Sequence, residues 1–185
     1  MNDIKLHDLV FEPFISAEEI RLTVASMASR VDQDYAGKNP TLLIVLNGAF
    51  IFAADLVRLI SVPLRIDFVK VSSYAGTGSS GKMIDHFLWQ TSLKDQHVII
   101  VEDIVDTGHT LDYLKSKIKE EQPASVEVVC LLFKPDAYRY SQELQYHGRA
   151  IPNEFVVGYG LDFMERYRNL PYVGVLHDDL MPEGV

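Results

Sequence analysis

Residues 98–110 constrain this chain more than any other stretch, reading Val-Ile-Ile-Val-Glu-Asp-Ile-Val-Asp-Thr-Gly-His-Thr. Val98, Ile99, Ile100 and Val101 are β-branched and continuously apolar, as suits a strand buried on both faces of a parallel sheet. An acidic turn is expected next, Glu102 and Asp103, with a third carboxylate at Asp106. Thr107-Gly108-His109-Thr110 then leads into Leu111, Leu114 and Ile118, spaced as the apolar face of a helix. Strand, acidic turn, Gly-containing loop and helix follow in order, so the loop falls at the carboxyl end of a strand, where open α/β sheets bind ligands. Free N–H groups in the first turn of the helix, aided by its dipole, form an anion site. Thr107 and Thr110 add hydroxyl donors. Three carboxylates beside such a cradle would repel a phosphate, so they must serve otherwise, by gripping sugar hydroxyls, ligating Mg²⁺ or taking a proton. Together these features imply a sugar phosphate accompanied by a metal.

Composition narrows the class. The chain has 185 residues, enough for one domain with a sizeable core, and 48% hydrophobic with 23% charged residues is ordinary for a globular protein. A formal net charge of −9 argues against nucleic acid as a main partner. The single Cys130 excludes an internal disulfide and, within apolar residues 128–133, reads as a buried thiol. Residues 1–14 carry both charge signs and no signal-like apolar run, and no segment reaches the ~18 apolar residues of a membrane span. A cytoplasmic protein without membrane attachment is expected.

Upstream, Ser16 and Glu19 form a capping box opening a helix whose face is Ile20, Val24, Met27 and Val31. It ends near Ala36-Gly37. Residues 41–46 read as a strand, Asn47-Gly48 as a sharp turn, and 49–60 as a mostly buried helix, the same grammar as at Val98. Residues 65–71 read as a strand. Residues 72–83 turn small and polar, and a loop of that length and composition favours a lid over an ordinary hairpin connection to the stretch at 85–90. Pro123 closes the helix after the acidic stretch, and residues 126–133 form another buried strand ending at Lys134-Pro135. Polar, Tyr-rich residues 136–149 resist placement. Residues 155–160, Phe-Val-Val-Gly-Tyr-Gly, read as a short strand with close backbone packing, and 172–176 as a final apolar run.

Residues 102–110 resemble the phosphoribosyl-pyrophosphate (PRPP) signature of the type I phosphoribosyltransferases, in the form seen among those acting on hypoxanthine and guanine. The resemblance spans residues 41–176, with separated matches in the expected order. It implies an α/β fold: a parallel sheet flanked by helices, in a single domain of residues 1–185. The core would cover about 38–150, and a hood subdomain would come from about 1–15 and 151–185. The resemblance makes Glu102 and Asp103 the grip on the ribose hydroxyls and on Mg²⁺-PRPP, and Asp106 the general base near N7 of a purine. Thr107, Gly108, His109 and Thr110 would hold the 5′-phosphate, with His109 standing where relatives often carry Lys or Arg. Asn47 and Gly48 would bind pyrophosphate through backbone N–H groups, often with a strained peptide bond there, and some relatives have Lys where this chain has Asn47. Ser73 and Tyr74 match the root of a mobile loop.

The purine would meet Lys134 at its 6-oxo group, Phe155 by stacking, backbone groups of Val156 and Val157, and Ile104. Asp162 matches a metal-binding aspartate and Arg168 an arginine on pyrophosphate. The implied activity is transfer of a 5-phosphoribosyl group from PRPP to N9 of hypoxanthine or guanine, with Mg²⁺, by a homodimer or homotetramer. Use of xanthine or another base stays open, as does a PRPP-sensing regulator of the same fold. Against the regulator stand Asp106, Lys134 and Asp162 and the lack of an appended helix-turn-helix segment.

Overall fold

The computed structural model describes residues 4–6, 9–72, 84–86, 89, 91–141 and 143–176, with backbone alone at 4–6, 9–10, 72 and 84–86. In chain order its elements are β1 (Ile4–Leu6), β2 (Leu9–Ile15), α1 (Ala17–Asp34), β3 (Thr41–Leu46), α2 (Phe50–Leu59), β4 (Arg65–Ser72), β5 (Ile84–His86), β6 (His97–Val105), α3 (His109–Glu120), β7 (Ser125–Phe133), β8 (Tyr146–Ala150), β9 (Phe155–Val157) and β10 (Val173–Leu176). Residues 73–83, including Ser73, Tyr74 and the expected lid, lie outside the described residues.

The larger sheet has the order β5-β4-β3-β6-β7-β8. Its five strands β4, β3, β6, β7 and β8 pair in parallel, and β5 adds antiparallel to β4 at one edge. Alternation along the buried strands sorts the two faces. Leu42, Ile44, Ile99, Val101, Val129 and Leu131 join Val24, Met27 and Phe52 of α1 and α2 in one core. Leu43, Val45, Val98, Ile100, Val128 and Cys130 join Leu111, Leu114 and Ile118 of α3 in the other. The expected parallel sheet with helices on both faces is therefore what the chain forms. A smaller antiparallel sheet, β1-β2-β10-β9, ties the N-terminal strands to the C-terminal segment around Phe11, Val157, Phe163 and Leu176.

The capping box is present, with Glu19 N–H donating to Ser16 Oγ at 3.2 Å and Ser16 N–H to Glu19 Oε2 at 2.9 Å. Two local expectations change. β6 does not stop at Val101: it pairs with β7 through Glu102–Cys130, Ile104–Leu132 and Val105–Phe133, so the acidic pair lies inside the strand. Ladder bonds to a neighbour on that side outweigh the turn preference of two carboxylates. α2 is not mostly buried. Phe52, Ala53 and Leu56 face the sheet, whereas Phe50 and Leu59 are each 47% exposed, because a helix lying on a sheet buries one stripe only.

α3 carries the Gly-containing loop on its N-terminus and is anchored through Leu114, which is fully buried. Leu114→Ala is expected to lower unfolding free energy by ~2–5 kcal/mol. Urea denaturation monitored by circular dichroism measures it.

Candidate active site

The carboxyl ends of β3 and β6 and the start of α3 enclose a cavity of about 250 Å³. Glu102, Asp103, Ile104, Asp106, Thr107, Gly108, His109 and Thr110 all line it, together with Gly48. Half of the candidates read from the sequence thus surround one space. A larger cavity of about 680 Å³ between α1, α2 and residues 169–171 shares no wall with it and is mainly apolar.

Glu102 and Asp103 are both buried within the central strand β6, toward its carboxyl end. Burial drives the Glu102 carboxyl well above its ordinary range, and the neighbouring Asp103 adds to the rise. Asp103 is pushed up to about 6, again mainly by burial. Its rise is restrained by the N–H of Ile104, which donates to Oδ1 at 2.9 Å, and by Arg168, while Asp162 acts in the opposite sense. The Asp103 side chain rests directly on Gly48: a Cβ there would stand 1.8 Å from Oδ2. The Leu46–Asn47 peptide leading into this turn is cis. Of the pair Asn47 and Gly48, only Gly48 reaches the cavity wall.

The phosphate loop is held from behind. Gly108 takes φ +86° at the N-cap of α3, a conformation glycine adopts without penalty, and brings no side chain to cap the helix. The first-turn N–H groups are thus left for a ligand entering the cavity. A Cβ on Gly108 would lie 2.5 Å from the Tyr138 ring and 2.8 Å from that of Tyr140. The Arg139 N–H donates to the Thr107 carbonyl at 3.2 Å. His109 Nδ1 sits 2.8 Å from the Tyr140 hydroxyl, with the rings edge to face. The Tyr-rich segment that resisted placement is the backing of this loop and then β8. Its only prior signal was the Tyr-x-Tyr alternation at 138 and 140.

Lys134, buried just past β7, donates from Nζ to Asp106 Oδ2 at 2.9 Å, and its own N–H reaches the Val105 carbonyl. Asp106 is about half exposed at the mouth of the cavity. The two residues came from separate strand ends in the sequence, and the parallel β6–β7 pairing brings them together. Phe155, Val156 and Val157 form β9, the last strand of the small sheet among the described residues. Phe155 is partly exposed, tilted against Phe11 and edge-on to Phe163 at 5.9 Å between centroids. None of Lys134 and these β9 residues lines the acidic cavity itself.

Arg168 pairs with Asp162 at 2.7 Å and donates to the Gly160 carbonyl at 2.7 Å, while Asp162 also accepts from the Glu165 N–H at 2.8 Å. Gly160, at φ +105°, packs so tightly on the Gly48 turn that a Cβ would lie 2.1 Å from the Gly48 carbonyl oxygen. The Arg168–Asp162 unit is thereby held close enough to Asp103 for both of its charges to act on that carboxylate.

With this geometry in place, residues 16–164 match the phosphoribosyl transferase domain family. The chain belongs to that family. This phosphoribosyltransferase is 44% identical to the hypoxanthine-guanine phosphoribosyltransferase of Streptococcus pneumoniae over 180 residues, covering 97% of each chain. A crystal structure of a hypoxanthine phosphoribosyltransferase from Staphylococcus aureus is similar, with a TM-score of 0.86 and 38% identity over 92% of this chain and 94% of that one. One of a hypoxanthine-guanine phosphoribosyltransferase from Bacillus anthracis gives a TM-score of 0.84 and 36% identity over 90% and 98%.

The donors present bear on whether a divalent metal fits. Among the described residues no three His, Cys, Asp or Glu side chains converge on one point. Glu102 and Asp103 nevertheless supply hard oxygen donors from a buried position, where a cation would relieve their mutual repulsion. These donors suit an ion that completes its shell with substrate oxygens, the usual habit of Mg²⁺.

Because Asp103 fills the space above Gly48, Gly48→Ala should force that carboxylate and the β3–α2 turn apart. Overpacking of this kind destabilises by ~1–3 kcal/mol. The expected result is a lower melting temperature together with sharply reduced phosphoribosyl transfer in this phosphoribosyltransferase. A variant that kept both at wild-type levels would mean the turn is more yielding than the contact implies.

Proposed function

We propose that this enzyme transfers the 5-phosphoribosyl group of PRPP to N9 of hypoxanthine or guanine, releasing pyrophosphate and yielding IMP or GMP. The observation that carries the reading is the 2.9 Å Lys134–Asp106 pair at the mouth of the acidic cavity. It sets a cation that only donates beside a carboxylate that only accepts. A 6-oxopurine presents the matching edge: O6 accepts from Lys134 while the imidazole N7–H gives its proton to Asp106. The N9 lone pair then forms the bond to C1′ as the bond from C1′ to the pyrophosphate oxygen breaks.

The remaining assignments draw on the cavity wall and on residues beside it. Glu102 and Asp103 accept hydrogen bonds from the ribose hydroxyls. N–H groups of residues 107–110, with the Thr107 and Thr110 hydroxyls, hold the 5′-phosphate. The Gly48 turn and Arg168 hold the pyrophosphate, and Mg²⁺ entering with PRPP would be held by Glu102 and Asp103, or at a separate position by Asp162, each in company with substrate oxygens, where it would offset leaving-group charge. Phe155 stacks on the base, and backbone groups of Val156 and Val157 address the purine edge, next to Ile104. The chain acts as one domain, with a core of about 38–150 and a hood from about 1–15 and 151–185. It works as a cytoplasmic homodimer or homotetramer. Exposed Phe50, Leu59, Ile66 and Phe68 support self-association, and among the described residues no helix is long and apolar enough to cross a membrane.

The test is formation of IMP, GMP and XMP from each base with Mg²⁺-PRPP, by wild type and Asp106→Asn. The variant is expected to bind PRPP while turning over ~10²–10⁴-fold more slowly, the usual cost of losing a general base. A kcat near that of the wild type removes Asp106 from proton transfer.

Adenine presents an amino donor where hypoxanthine presents O6, so a buried Lys134 would meet a donor and both would lack partners. Sites that match polar groups this way discriminate by up to ~10⁴–10⁵. Lys134→Gln, whose amide also accepts, should lose kcat/KM for hypoxanthine while the gap to adenine narrows. Phe155→Ala should weaken every base alike. An unchanged hypoxanthine-to-adenine ratio in Lys134→Gln would leave Lys134 with a structural role only.

A further inference from the structure

The turn that docks on Gly48 is tied to the core at a second point, away from the acidic cavity. Tyr159 occupies the left-handed region at φ +50°, between Gly158 at +102° and Gly160 at +105°. Such a run folds the backbone sharply, and a tyrosine keeps that conformation only if its side chain is well held. It is. The phenol donates to Asp55 Oδ2 of α2 at 2.6 Å, and the residue is almost fully buried. Asp55 is in turn paired with Arg58 one turn along α2. Burial and the adjacent carboxylate both raise the phenol's pKa, which keeps it a protonated donor across the physiological range.

The backbone on either side of Tyr159 leads to the site. Its N–H donates to the Leu170 carbonyl at 2.9 Å, and the next N–H, from Gly160, donates to the Arg168 carbonyl at 2.9 Å. The Gly160 carbonyl receives the Arg168 guanidinium, and the Gly160 Cα lies against the Gly48 carbonyl. α2, meanwhile, begins at Phe50, directly after the Gly48 turn. The Tyr159–Asp55 hydrogen bond therefore joins the two backbone segments that meet at Gly48, one from the small sheet and one from the core.

We propose that Tyr159 is a positioning residue whose hydrogen bond to Asp55 sets the placement of Arg168 over the Gly48 turn, and so tunes affinity for the pyrophosphate end of PRPP without acting on the base. This rests on the assignment of the Gly48 turn and Arg168 to pyrophosphate made above. Lys134 and Asp106, which face the base in that assignment, share no hydrogen bond or ion pair with Tyr159 or Asp55 among those described, whereas β9 runs through Gly158 into Tyr159, so KM for hypoxanthine is the reading that separates the two ends of the site.

Tyr159→Phe deletes one oxygen and keeps the ring that fills the space. Networks of this kind shift affinity by on the order of 2- to 30-fold. The expected result is a rise of that size in KM for PRPP and in KM for pyrophosphate in the reverse reaction from IMP, with KM for hypoxanthine unchanged. Asp55→Asn keeps an acceptor for the phenol and should retain the wild-type KM for PRPP. Asp55→Ala should match Tyr159→Phe, and the double variant should be no worse than Asp55→Ala alone, since one bond cannot be lost twice. Equal rises in both substrates' KM values, or none, would overturn the proposal, as would additive losses in the double variant. Calorimetric binding of Mg²⁺-PRPP to wild type and Tyr159→Phe separates the tether from the base assignment. If the wild type makes no IMP from hypoxanthine, the base assignment fails, while a PRPP affinity lowered in Tyr159→Phe still supports the tether. Unchanged PRPP affinity overturns it whatever the base.

Discussion

The site depends on two consecutive carboxylates buried within the central strand β6, toward its carboxyl end. Glu102 and Asp103 sit between β3 and β7 with little water to solvate them, and burial raises the pKa of both. Such a pair lowers stability unless something answers it. Part of the answer is local, in the Ile104 N–H on Asp103. Part is steric: Gly48, lacking a side chain, lets Asp103 lie against the neighbouring turn. In the proposed function the remainder would fall to PRPP with Mg²⁺, whose hydroxyl donors and cation would stabilise the folded chain on binding. Conflict between stability and a prepared polar site is common where function resides.

From that strand end the rest of the site follows by contact. Asp103 fixes the Gly48 turn, Gly160 packs on the same turn, and Gly160 holds Arg168 in place with Asp162. In the other direction β6 runs on into Asp106 and the Gly108 loop, braced by Tyr138 and Tyr140. The Asp106–Lys134 pair closes the arrangement on the side given to the base. Each charge satisfies the other before substrate enters, so the proposed purine must offer both an acceptor and a donor to take their places. A ligand offering only one leaves a buried ammonium or a carboxylate unmatched, which is the physical root of the proposed selectivity.

What was readable in advance was what local pattern encodes. The continuous apolar run at Val98, the capping box at Ser16 and the 3.6-residue spacing of Leu111, Leu114 and Ile118 each depend on near neighbours in sequence, and each became the expected element. The extent of β6 was not readable, because two adjacent acids resemble a turn until a partner strand pairs with them. The exposed side of α2 was hidden for a similar reason: Phe50 and Leu59 are as apolar as Phe52 and Leu56, and only the sheet decides which pair is covered. Residues 136–149 have no clear period, and Tyr138 and Tyr140 among them press their rings against Gly108, far back in the chain.

Local pattern dictated the grammar of strand, Gly turn and helix at Asn47 and again at Gly108, and with it a parallel α/β sheet whose loops carry acids and hydroxyls. It also marked Glu102, Asp103, Asp106 and Lys134 as charges near the ends of apolar runs, whereas Asp162 and Arg168 were singled out only by the family resemblance. Which of them meet was settled only by the packing of distant elements. Parallel register between β6 and β7 put Lys134 on Asp106, and docking of the 158–161 turn on Gly48 brought Arg168 and Tyr159 to the core. Periodicity reports how a residue faces its own element. Distances between elements are set by close packing of side chains, and at Gly48, Gly108 and Gly160 by the lack of one.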